Sequence, residues 1–118
     1  MTRRLRYVDD EPIGYQVNTM CHALCQGLEN EDFTERSFQY VLEINYNVRY
    51  AELQESLTSV GADEHMAQLL DVPVGAPLLL DSRLLYGVGG RIIGRSQAHF
   101  RGDRYVYKLV RSVSSTED

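Results

Sequence analysis

Alternation of apolar and polar positions marks both ends of the chain, and helical spacing marks its middle. The segments "RRLRYV" and "PIGYQVN" carry β-favouring residues on either side of Asp9-Asp10-Glu11-Pro12. That cluster forms turns, and Pro12 has no N–H to give a ladder, so the pattern predicts a β-hairpin. Period-two alternation puts Arg4, Arg6 and Val8 on one face of the first strand, opposite Leu5 and Tyr7. In the second strand it separates Ile13, Tyr15 and Val17 from Gly14, Gln16 and Asn18. Asp32 and Glu35 then match a capping box, and Phe38, Val41, Leu42 and Tyr46 follow at helical spacing in "TERSFQYVLEINYN".

"RYAELQESLTSV" alternates over part of its length and reads as a strand; "ADEHMAQLL", with acids in its first turn, reads as a short helix that "DVPVGAP" ends. "LLLDSRLLY" and "RIIGRSQAHF" flank Gly87-Val88-Gly89-Gly90, a glycine-rich hairpin connection, and "RYVYKLV" resumes alternation as a last strand. The predicted order is β-β-α-β-α-β-β with one further strand. It describes an α+β fold, a mostly antiparallel sheet with helices on one face.

Composition narrows this picture. The 118 residues suit one domain, and 43% hydrophobic with 25% charged residues is ordinary for a globular chain. No apolar run reaches the roughly 20 residues of a membrane span, and the basic start leads into Asp9-Asp10-Glu11 instead of a signal-peptide core. A cytoplasmic protein without a membrane partner is expected. Cys21 and Cys25 flank His22, but these groups lack a fourth ligand, so packed thiols are preferred over a metal site, and no cofactor is expected. The net charge of −5 is segregated: residues 1–8 hold three arginines and no acid, whereas residues 9–71 hold thirteen acids against two arginines. An acidic total argues against nucleic-acid binding by this domain alone.

Two features carry chemistry. Arg4 and Arg6, at i and i+2 on a strand, project to one face about 7 Å apart and can converge on one anion. From spacing alone, solvated arginines on an edge strand are an equal reading. In the strand from Ile92, the even positions Gly94, Ser96 and Ala98 form a small-residue stripe that ends at Phe100, and such a stripe admits either a packed helix or a ligand. His22, His65 and His99 stand in no recognisable nucleophile motif, so no enzymatic activity is expected. The tripeptide Arg101-Gly102-Asp103 reads as a corner of the sheet, not an adhesion signal, with Arg104 and the acidic helices as local partners.

Several segments resemble, in order, the effector-binding (UTRA) domain of GntR-type bacterial transcription regulators of the HutC subfamily. They are "RLRYVDDEPI", "SFQYVLEINYNV", "LLDVPVGAPLLLDSRLLY" and "GRIIGRSQAHFRGDRYVY". The resemblance implies a chorismate-lyase-like fold over residues 4–110, followed by a polar tail at 111–118. It implies a homodimer that binds a small metabolite and modulates operator DNA binding by a winged helix-turn-helix domain. That domain and the family's first sheet strand would precede the residues present here. By position, Arg4 and Arg6 would bind an anion, Gln16, Ser37 and Ser96 would line the pocket, and Phe100 would supply its aromatic wall. Gln16 and Gly94 stand where amino-sugar sensors of the family carry acids, so the resemblance points to an anionic effector that is not an amino-sugar phosphate. A ligand-free dimerisation module and a lyase of the same fold are the alternatives.

Overall fold

A computed structural model describes residues 1–21 and 38–113. The expected capping pair Asp32 and Glu35, the pocket residue Ser37, and His22 and Cys25 lie outside the described residues. The elements are β1 (Thr2–Val8), β2 (Glu11–Met20), α1 (Phe38–Tyr46), β3 (Tyr50–Gly61), α2 (Glu64–Leu70), β4 (Pro77–Gly87) and β5 (Ile92–Arg101). The five strands form one antiparallel sheet in the order β1-β2-β5-β4-β3. The α+β architecture and the order of these elements are those expected from the sequence.

Local chemistry explains the joints. Asp9 and Asp10 take φ of 49° and 63°, the left-handed conformation that a tight β1–β2 hairpin needs and that Asp tolerates. Gly89 and Gly90, at φ of 93° and 79°, close the β4–β5 hairpin, where the Gly87 N–H donates to the Arg91 carbonyl at 2.7 Å. At the start of α2, Asp63 accepts from the Met66 N–H at 2.8 Å, a cap that contributes about 1 kcal/mol.

The helices pack on opposite faces of the sheet, contrary to the single-face expectation. Pairing register defines the faces. The row Arg4, Gln16, Ala98, Asp81, Leu57 crosses all five strands and marks the front, whereas Leu5, Tyr15, His99, Leu80, Thr58 marks the back. Val41 and Leu42 of α1 bury against Leu85 and Ile93, with Met20 beside them, over one end of the front. Ala67 and Leu70 of α2 pack with Leu78, Leu5, Tyr15 and Val60 on the back. Leu42 and Leu70 are fully buried, each contributing about 1.5–3 kcal/mol. Among the described residues, α1 and α2 thus lie on the two sides of the sheet.

The expected last strand is absent from the sheet. β5 ends at Arg101, a turn follows through Arg104, and residues 105–113 pair with no strand among the described residues. Gly102 makes this corner: its N–H donates to the Pro77 carbonyl at 3.0 Å, and a Cβ there would stand 2.8 Å from that oxygen. Arg101, which is buried, grips Asp103 with two hydrogen bonds of 3.0 and 2.8 Å. Arg104 turns instead to Glu11. Arg101 and Asp103 therefore partner each other, not Arg104 and the helices.

Candidate functional site

Between α1 at one end and the Phe100 corner at the other, the front of the sheet carries a polar strip. Register aligns Thr2, Asn18 and Ser96 in one row, Arg4, Gln16 and Ala98 in the next, and Arg6, Gly14 and Phe100 in the third. Five of the six expected site residues, Arg4, Arg6, Gln16, Ser96 and Phe100, therefore share one face. Side-chain hydrogen bonds tie the floor together. Gln16 Nε2 donates to Asn18 Oδ1 at 3.1 Å and to Ser96 Oγ at 3.2 Å, and Asn18 Nδ2 donates to Thr2 Oγ1 at 3.3 Å. Asn18 is 1% exposed, so this network is a fixed floor, because a buried amide left unpaired would cost several times what the bonds gain.

Arg4 is half-buried and Arg6 exposed. Burial first, and then the charge of Arg6, lower the Arg4 guanidinium below its ordinary value. Phe100 is buried and lies over Gly14, stacked on Tyr105 with ring centroids 3.9 Å apart and planes at 9°. That stack brings the segment after the corner back across the front. Farther along, the Tyr107 hydroxyl donates to Glu55 Oε1 of β3 at 2.6 Å.

The position of Gly94 has a physical explanation. A Cβ there would collide with Met20 Sδ and stand 2.9 Å from the Thr19 carbonyl. Met20, packed against the α1 cluster, occupies the space an acid at 94 would need. The α1 end of the strip is accordingly apolar.

A residue that the sequence pattern did not single out belongs to the same face. Asp81 of β4 pairs in register with Ala98 and is 3% exposed. Arg83 Nη2 donates to its Oδ2 at 3.2 Å, and Arg83 Nε donates to Glu55 Oε2 at 2.9 Å. Burial, joined by the neighbouring Glu55, pushes the Asp81 carboxyl above its ordinary value despite Arg83. The available signal was an acid interrupting a leucine run, "LLLDS".

A groove of about 340 Å³ opens nearby, but six of its nine lining residues, Gln54, Ser56, Ser82, Leu84, Arg95 and Gln97, alternate onto the back of the sheet. It shares Ser96 with the strip, but Arg4, Arg6, Gln16 and Phe100 do not line it. On that back face burial lowers the half-buried His99 imidazole below its ordinary value. No cluster of three or more His, Cys, Asp or Glu able to hold a metal occurs among the described residues, and no helix there is long and apolar enough to cross a membrane.

Comparison with known proteins agrees with this architecture. Residues 1–106 match the UTRA domain. The HTH-type transcriptional repressor NagR of Bacillus subtilis is 24% identical over 104 residues, which are 88% of this chain and 42% of NagR, so the chain spans less than half of that relative. The effector domain of PhnF from Mycobacterium smegmatis superposes with a TM-score of 0.80 at 19% identity, over 94% of this chain and 68% of that one. A GntR-family transcriptional regulator from Enterococcus faecalis gives 0.77 at 22% identity, over 92% and 78%. The chain belongs to the UTRA family, the effector-binding domains of GntR-type transcription regulators.

Proposed function

We propose that the front of the sheet binds a small anionic metabolite and that, in a cytoplasmic homodimer of the HutC type, this binding alters operator affinity of a winged helix-turn-helix domain preceding these residues. The chain catalyses no reaction in this reading. One observation carries it: Arg4 and Arg6 project together from β1 onto a floor fixed by Gln16, Asn18 and Ser96 and walled by Phe100. Arginine is the side chain best suited to hold carboxylate or phosphate in a fixed orientation. The family resemblance adds Ser37, which lies outside the described residues, to the proposed ligand-binding set. The effector works by binding one dimer arrangement better than the other, and a coupling of about 1–3 kcal/mol is enough.

With Gln16 and Gly94 in place of acids, and Met20 filling the space at 94, the ligand is not an amino-sugar phosphate. A melting-temperature screen across anionic and neutral metabolites tests the proposal, with Arg4→Ala and Arg6→Ala as controls. Stabilisation by a subset of anions, lost in both variants, is expected. A panel that leaves the melting temperature unchanged would favour a ligand-free dimerisation module. Tight glucosamine 6-phosphate binding that survives Arg6→Ala would contradict the ligand class.

A further inference from the structure

We infer that Asp81 is a second, donor-reading pole of the effector site, which takes a hydroxyl or ammonium group on the ligand at the end opposite its anion. The inference rests on Arg4 and Arg6 as the anion pole. Asp81 lies in their cross-sheet row, reached from Arg4 through Gln16 and Ala98. Three strand spacings, about 14 Å between Cα atoms, separate it from Arg4. Allowing for the length of the arginine side chain, that span matches a ligand body of roughly six heavy atoms. Ala98 gives the floor between the poles only a methyl group, and Ser96 only a hydroxyl.

The hydrogen bonds of Asp81 are incomplete. Its Oδ2 has Arg83, whereas Oδ1, buried, has no hydrogen-bond partner among the described residues. A buried carboxylate oxygen without a donor is costly, and such groups either take up a proton or acquire a partner. When protonated, Asp81 can share its proton with Glu55, the neighbour that helps raise it. When ionised, it lacks one donor, and a ligand hydroxyl or ammonium supplies it. Glu55 is committed elsewhere, to Arg83 and Tyr107. Asp81 is therefore the carboxylate of the pair with capacity left. With Gln16 on β2 and Gly94 on β5, the acid pole of this face stands on β4, so ligands are sorted by where their donor lies.

Hexyl phosphate, 6-hydroxyhexyl phosphate and 6-aminohexyl phosphate, which differ only at the far end, test this by calorimetric titration. Wild type should bind at least one of the two donor-tipped compounds about tenfold tighter, relative to hexyl phosphate, than Asp81→Asn does, with hexyl phosphate itself unchanged. Asp81→Ser should give the same loss if Asn at 81 retains partial binding. Equal ratios in wild type and both variants would overturn the role of Asp81 and leave the anion pole standing. No binding of any of the three by wild type would overturn the anion pole and this inference together. Uniform loss in Arg6→Ala, with ratios kept, supports two separate poles.

Discussion

Gly14 lies directly under the ring of Phe100: a Cβ on Gly14 would stand 2.6 Å from Phe100 Cδ1 and 2.8 Å from Cε1. The Phe100 ring can lie here because β2 has no side chain at this point. Gly14→Ala should lift the ring off its stack with Tyr105 and cost about 1–3 kcal/mol, the usual penalty for overpacking. Thermal melts of Gly14→Ala, Phe100→Leu and the double variant form a cycle that checks this. The double variant should be less destabilised than the sum of the singles.

Phe100 and Asp103 are three residues apart but do different work. Phe100 faces the candidate site, whereas Asp103 is spent on Arg101 at the corner. Phe100→Leu, and Phe100→Ala where it folds, should weaken binding of hexyl phosphate or any effector found by screening more than Asp103→Glu does. Equal effects in calorimetry would mean that the site lies elsewhere.

Asp81 should make the fold less stable as pH rises. Its folded-state carboxyl is raised, first by burial, so the native state holds the proton more tightly than the unfolded chain. Below the unfolded value both states are protonated and there is no penalty; the penalty grows as pH climbs through the folded value and is complete above it. Asp81→Asn should therefore melt at a higher temperature than wild type at pH 7, with the gain vanishing near pH 3. A variant less stable than wild type at pH 7 would contradict this.

Tyr107 should titrate above the ordinary tyrosine value. Its hydroxyl donates to Glu55, and that hydrogen bond, ahead of burial, raises the phenol. The stabilisation is present below the unfolded tyrosine value and is lost as pH rises through the folded one. A spectroscopic titration by NMR should find Tyr107 ionising above the ordinary tyrosine value, and Glu55→Gln should bring it down. An unchanged value in Glu55→Gln would mean that the segment after the corner does not lie across the front.

Much of this is legible in the chain, for reasons particular residues make clear. Alternation within a strand is local, so the residue pattern alone puts Arg4 and Arg6 on one face and sets Gln16 apart from Tyr15. The turn at Asp9-Asp10 and the glycines at 89 and 90 fix the hairpins through their backbone conformations. Which face of one strand lines up with which face of another depends on register, and register is non-local. Asp81 escapes the sequence pattern for that reason: it joins Arg4 only through two intervening strands. The opposite placement of α1 and α2 is hidden in the same way, because Leu42 and Leu70 show equally apolar patterns and differ only in the sheet face they meet. The last strand fails because "RYVYKLV" alternates correctly, yet after the Gly102 corner it finds no strand to pair with among the described residues.

The central claim, that the front of the sheet is the anion-binding face, is tested most directly by an NMR titration with hexyl phosphate. Arginine side-chain and backbone amide signals should be followed together. The account predicts saturable shifts at Arg4, Arg6, Gln16 and Ser96, with Ser82 and Gln97 on the back unmoved. Shifts concentrated at Ser82, Arg95 and Gln97, with Arg4 and Arg6 silent, would contradict it.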